Sequence, residues 1–191
     1  MRKALGVFLA TAMVFGMAGV SLAQQTGGTK SSSADQRLQN RVAREVYHEL
    51  VMLPQLTIFD NISYKMDGNN VILMGEVRNP VLKSEAEDSI KKIEGIGKIT
   101  NNIEVLPPSS NDDAIRRQVA RALFSDDRLF PYSMGALPSI HIIVKNGHVD
   151  LEGVVNSQGD KNEAGIKANS VPGVFSVQNN LKVENTAESK K

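Results

Sequence analysis

The chain repeats itself. Displaced by 78 positions, residues 62–105 fall on 140–183 with 12 identities in 44 ungapped places, where average residue usage gives about three by chance. The matches keep their order: Val71 with Val149, Leu73 with Leu151, Gly75 with Gly153, Val77 with Val155, Gly95 with Gly173, and Asn101-Asn102 with Asn179-Asn180. Upstream, Val42-Ala43-Arg44 answers Val119-Ala120-Arg121, one residue out of step. A chain of 191 residues that holds two such copies is therefore predicted to fold as two small modules. Their bounds are read as residues 36–106 and 112–184, with a short, fairly stiff joint over 107–111 that includes Pro107-Pro108.

Within each copy the hydrophobic period changes in a fixed sequence. Leu38, Val42, Val46 and Leu50 recur every four residues, as do Ile115, Val119 and Leu123, which predicts an amphipathic helix. Ser33 with Gln36, and Asn111 ahead of Asp112-Asp113, are candidate N-caps. A period of two follows: Ile62, Tyr64 and Met66, a turn at Gly68-Asn69, then Val71, Leu73, Gly75 and Val77. The second copy reads Ile140, Ile142 and Val144, the turn Asn146-Gly147, then Val149, Leu151, Gly153 and Val155. Asn-Gly between alternating runs is a strong hairpin signal. It sets a register in which Ile62 faces Gly75 and Ile140 faces Gly153. Each glycine then falls on the apolar face, where missing bulk lets a helix approach.

A second helix, carried by Ala86, Ile90 and Ile93 or by Ala164, Ala168 and Val171, is expected to stop at Gly95 and Gly173. A last strand alternates Ile99, Asn101, Ile103 and Val105, or Val177, Asn179, Leu181 and Val183. The predicted class is α+β: helix, strand, strand, helix, strand, with two helices over one face of a small three-stranded sheet. The place of the third strand in that sheet is left open by the pattern.

The start of the chain bears on compartment. Met1-Arg2-Lys3 precedes an apolar run to Val20, and Ser21-Leu22-Ala23 offers the small residues of a cleavage site, so residues 1–23 read as a secretory signal peptide. The competing reading is a membrane anchor, for which the run is short and lacks a basic stop. Residues 24–35 and 185–191 are polar and read as a flexible leader and a disordered tail. The mature chain is expected to carry no transmembrane segment. There is no cysteine, which excludes both disulfide staples and a lipid anchor on a thiol. Removing Arg2 and Lys3 leaves 20 basic residues against 21 acidic, a net charge of −1. A binder of nucleic-acid phosphates normally carries a marked positive excess, so nucleic acid is not expected as a partner.

The run Ser139-Ile-His-Ile-Ile-Val-Lys-Asn-Gly-His-Val-Asp-Leu-Glu-Gly-Val-Val155, with Val171-Pro-Gly-Val-Phe-Ser-Val-Gln-Asn-Asn-Leu181, resembles the BON domain. The first copy carries the same resemblance in Asn70-Val-Ile-Leu-Met-Gly-Glu-Val77, Ile93-Glu-Gly-Ile96 and Thr100-Asn-Asn-Ile-Glu-Val105. It covers nearly all of the chain beyond the leader. The resemblance implies the same helix-strand-strand-helix-strand fold, often in tandem behind a signal peptide. It also implies binding rather than catalysis: a periplasmic (alternatively secreted) protein of envelope or osmotic stress, contacting phospholipid surfaces or envelope proteins.

No P-loop, G-x-S-x-G or H-E-x-x-H occurs, so no catalytic residue, metal or cofactor is assigned. His141 falls opposite Glu152 in the hairpin register and reads as an exposed cross-strand pair. Asn101 and Asn179 point toward the core and are expected to bond loop backbone. Arg37, Arg41, Arg44 and His48 form one stripe opposite the apolar face of the first helix. In the second module Arg117 and Arg121 fall beside Phe124. Basic stripes of this kind suit a helix touching anionic headgroups. A solvated helix face, with Phe124 packed on the other module, explains them as well. The apolar loop 129–137, with Phe130 and Tyr132, and its parallel at 53–59 are candidates for membrane or partner contact, with inter-module packing as the alternative.

Overall fold

In the computed structural model residues 28–135 and 137–184 are described. The expected signal peptide and tail lie outside them. The first helix, α1 (Gly28–Val51), begins upstream of the predicted cap at Ser33 and takes in residues read as a flexible leader. That stretch has no proline to break a helix already nucleated downstream. Its inner stripe is as predicted: Val42, Val46 and Leu50 are buried.

The hairpin follows as β1 (Asn61–Asp67) and β2 (Asn70–Val77), antiparallel, with Ile62 opposite Gly75. Then come α2 (Pro80–Ile90), capped by the Asn79 side chain on the Val81 amide, and two short segments, β3 (Ile99–Asn101) and β4 (Glu104–Val105). Both segments pair parallel with β2 at one constant offset, Val71 with Ile99 and Val77 with Val105. They are one strand with a break, and β2 is the central strand of the sheet. Asn101 makes the break. Its side-chain oxygen accepts from the Ile103 amide two residues on, 3.2 Å away, and its amide nitrogen donates to the Lys83 carbonyl of α2 at 2.7 Å. An asparagine folding back on its own backbone in this way competes with the ladder.

The second module repeats the order with α3 (Ser110–Phe124), β5 (Ile140–Lys145), β6 (His148–Val155), α4 (Gln158–Asn169), β7 (Ser176–Asn179) and β8 (Lys182–Val183). Asn179 makes the same two bonds, to the Lys161 carbonyl and from the Leu181 amide. The α3 cap is Ser109, which accepts from the Asp112 amide at 3.2 Å; Asn111 sits inside the helix. Asn146 and Gly147 have φ of +54° and +80°, the left-handed pair that a two-residue hairpin turn of this twist requires.

The role expected of Gly75 and Gly153 needs correcting. Their φ values are +114° and +117°, and a Cβ would stand 2.1 Å and 2.0 Å from the carbonyl oxygens of Asn61, at the start of β1, and Ser139, just ahead of β5. The demand for glycine comes from backbone conformation and from the neighbouring strand, not from a helix overhead. Gly95 and Gly173 lie in the turns beyond α2 and α4, under the first helix of their module, against Val42 and Ile115.

Each module buries its own apolar set. One core joins α1, α2 and the first sheet through Val46, Leu73, Leu82 and Ile90; the other joins α3, α4 and the second sheet through Val119, Leu123, Ile142 and Leu151. A fully buried Leu or Ile contributes about 1.5–3 kcal/mol, which lets a module without cysteine hold together. Ile58 and Phe59, from the loop ahead of β1, pack on the core of the second module.

Candidate functional site

The arginines sort into two groups by what they touch. Arg78, Arg116 and Arg128 are engaged, on Asp113 at 3.4 Å, Asp113 at 2.7 Å and Asp160 at 3.3 Å. Arg41 reaches Glu45 only at 3.9 Å. Among the described residues no ion pair involves Arg37, Arg44, Arg117 or Arg121, and all four are exposed on α1 and α3. The helical spacing that buries Val42, Val46, Val119 and Leu123 turns these side chains outward.

The aromatic residues expected beside them divide. Phe130 is 52% exposed in a 3-10 turn over Phe130–Ser133, with Met134 also exposed next to it. Phe124 packs partly buried on the core of its own module, neither outward nor on the other module. Tyr132 is buried, so it is no part of an outer surface. Its hydroxyl donates to Asp160 at 2.8 Å and accepts from the Asn156 amide at 2.8 Å, and burial pushes its pKa up. The hydrogen bond from Ser157 is the chief reason the Asp160 carboxyl sits below its ordinary value. Tyr132 thus ties the apolar loop to the start of α4, a tyrosine buried because its polar tip has partners.

The two modules meet along their first strands. The loop before β1 runs beside β5, where the Ile142 amide donates to the Ile58 carbonyl at 2.7 Å and His141 Nδ1 lies 2.6 Å from the Asp60 carbonyl. His141 stands opposite Glu152 as its register predicts, but it is half-buried against the other module and not in an exposed pair. Burial holds its pKa below the usual histidine value. Asp60, itself buried, fixes this loop: its carboxylate accepts from the Thr57 amide and hydroxyl and from the Arg78 amide. Among the described residues no group of three His, Asp or Glu side chains is placed to hold a metal ion.

Carboxyl groups of both sheets face this joint. Glu76 is pushed up by burial and then by Glu152, Asp150 and Glu104, against a smaller opposing effect of Lys145; Asp150 is pushed up by burial and by Glu152. A carboxyl raised in the folded state binds its proton more readily there. Its stabilising contribution is therefore full in acid and is lost as pH rises from the ordinary carboxyl value through the raised one. Glu76→Gln is expected to raise the melting temperature modestly at neutral pH, and the gain should shrink toward zero at about pH 4, measured by thermal unfolding across pH.

Two functional-looking charges escaped the sequence reading and turn out to be architectural. Asp112 is 1% exposed, and its two oxygens accept from the Asn146 and Gly147 amides at 3.0 Å and 2.9 Å, clamping the hairpin turn to α3. Arg116, 2% exposed, donates to the Val144 carbonyl on the outer edge of β5 and to Asp113, which also meets Arg78 of the first module. The acidic pair after a serine cap was the available signal for Asp112; nothing in the pattern marks Arg116.

The BON domain profile matches this chain twice, over residues 39–107 and 111–185. The chain belongs to the BON family. Among the described residues, two sheets and four α-helices form the α+β tandem expected of two BON modules. Osmotically-inducible protein Y of Escherichia coli (strain K12) is 28% identical over 203 residues, an alignment covering 96% of each chain. Among solved structures, the C-terminal domain of CdsD, a structural protein of the type III secretion system of Chlamydia trachomatis, aligns at 12% identity over 74% of this chain and 96% of its own. The TM-score of 0.26 is too low for that likeness to bear on the BON modules here. No described helix is long and apolar enough to cross a membrane.

Proposed function

We propose that this BON protein is exported and serves the cell envelope under stress without catalysis, attaching to anionic phospholipid surfaces through α1 and α3. The observation that carries the reading is the set of arginines, Arg37, Arg44, Arg117 and Arg121, that face solvent with no acidic partner among the described residues. Arginines needed for the fold are paired; these are kept apart. Near an anionic surface each contributes about 1 kcal/mol, falling with salt, so one helix supplies a weak, reversible contact. Phe130 and Met134, exposed after α3, supply apolar area that can enter the headgroup layer. The stress role is supported by the name of the Escherichia coli relative.

Co-sedimentation with vesicles containing phosphatidylglycerol is expected to capture the protein at low salt and to lose it at high salt. Arg117→Gln/Arg121→Gln removes two charges, about 2 kcal/mol, and should weaken capture about thirtyfold. Equal binding to neutral vesicles, or no change in the double variant, removes the proposal.

A protein partner is the second reading, favoured by Phe175. This ring is 77% exposed, lies over Gly147 at the hairpin tip and stands 6.0 Å from the His148 ring. The sheet edge of β5, by contrast, is already taken up by Ile58. Binding that survives the arginine changes and is lost with Phe175→Ala would select this reading.

A further inference from the structure

We propose that the cavity at the junction of the two modules is a binding site for one single-chain amphiphile with an uncharged head that donates a hydrogen bond. The proposal concerns a different place from the arginine-bearing helix faces and does not depend on them.

The cavity measures about 280 Å³. Its walls come from three directions: Leu50 and Val51 at the end of α1, Leu56 in the following loop, and Ile62 and Tyr64 on β1. The second module closes it with Leu137 and His141. The space is just under the range of about 300–1,000 Å³ that pockets for drug-sized ligands occupy. It admits one flexible aliphatic chain and excludes a two-chain phospholipid. Leucine, isoleucine and valine side chains give such a chain a surface that water wets poorly.

The polar groups decide the head. Among the described residues no carboxylate, lysine or arginine lines the cavity; its ionisable residues there are Tyr47, Tyr64 and His141, beside the neutral Asn61 and Ser63. A charged head would enter without a counter-charge, which is costly away from bulk water. The Tyr64 hydroxyl is already donated to the Ala43 carbonyl at 2.7 Å. His141 is different. A carbonyl oxygen can only accept, so the bond to Asp60 puts the proton on Nδ1 and leaves Nε2 with a bare lone pair. Among the described residues no protein donor reaches Nε2. Burial lowers the pKa of this ring, which favours its neutral form, and the Asp60 carbonyl that orients it belongs to a loop fixed by Thr57 and Arg78. The ring is therefore a preorganised acceptor at the edge of an apolar space, and it selects a hydroxyl or other neutral donor: a fatty alcohol, a monoacylglycerol or a protonated fatty acid.

The chain itself supplies the readout. It has no tryptophan and three tyrosines, two of which line this cavity. Titration of the full-length mature protein with n-decanol, below its solubility limit, is expected to change tyrosine fluorescence saturably. Decyltrimethylammonium and decyl sulfate, which carry the same chain under a fixed charge, should bind at least about tenfold more weakly. His141→Phe keeps the ring and removes the acceptor; it should weaken decanol about tenfold. Ser63 is exposed and lines the cavity, so Ser63→Phe blocks it from a position where the fold tolerates bulk, and should abolish the fluorescence change. This second variant keeps the test sound if His141→Phe perturbs the joint. Arg117→Gln/Arg121→Gln should leave decanol binding unchanged, which separates this site from the lipid-surface reading. The proposal is overturned by no saturable change with decanol, by equal binding of the charged chains, or by full binding to Ser63→Phe.

Discussion

Gly153→Ala is expected to lower the stability of the second module by at least about 3 kcal/mol. Two costs combine. At φ +117° an L side chain is strained, and its Cβ would stand 2.0 Å from the Ser139 carbonyl, a backbone atom at the entry to the paired strand that cannot swing aside like a side chain. Relief requires β5 to move away from β6, which breaks the pairing from Ile140 to Gly153 onward. For a module of this size each kcal/mol is worth about 4–8 °C, so the melting temperature should fall by about 12–24 °C. Gly75→Ala should do the same in the first module, where the clash with Asn61 is 2.1 Å. Gly68→Ala is the control. Its φ is +59° but nothing lies within 4 Å of the added methyl, so only the left-handed strain of about 1 kcal/mol remains. Calorimetry of the three variants decides the matter: equal losses at Gly153 and Gly68 would mean that the strand contact contributes nothing.

A comparable loss is expected from Asp112→Ala, about 3 kcal/mol or more. The buried carboxylate accepts two backbone amides of the hairpin turn, at 3.0 Å and 2.9 Å. Hydrogen bonds to a charged group contribute about 1.5–3 kcal/mol each, and removing the acceptor also leaves the buried Gly147 amide without a partner. Asp112→Asn is no rescue, because one oxygen becomes a nitrogen that meets a donor. The repeat provides an internal comparison. Asp35 occupies the matching place in the first module and is exposed, so Asp35→Ala should stay within about 0.5 kcal/mol of the parent. Urea unfolding would measure both changes, and hydrogen exchange at the Gly147 amide would report the released turn. A second-module loss no larger than that of Asp35→Ala would show that the clamp is dispensable.

The hairpins and helices were legible because their burial is periodic. The alternation through Ile140, Ile142 and Val144 and the Asn-Gly turn fixed a register that holds residue for residue. The third strand was not placed, because a parallel pairing between Val71 and Ile99 is made across a helix and leaves no local signal. For Tyr132 an irregular loop has no period that separates outer contact from inter-module packing, and only the partners Asp160 and Asn156, far along the chain, reveal why it is inside its own module. Arg116 and Asp112 contradict the default that charge faces water; their partners are backbone atoms about 30 residues away or more, beyond any spacing rule. The glycines taught a different lesson. Their apolar register was readable, but a φ angle is not, and the physical demand at Gly75 and Gly153 turned out to be conformational.

The joint has a consequence for valency. Had Pro107-Pro108 been a loose tether, α1 and α3 would sample a surface independently, and the second contact would depend on an effective concentration set by linker length. Ile58 and Phe59 anchored in the neighbouring core, with Arg78 held to Asp113, replace that search by a fixed angle between the helices. Whether both arginine rows can touch one flat target at the same moment is then decided by the shape of the folded chain, not by chance encounter.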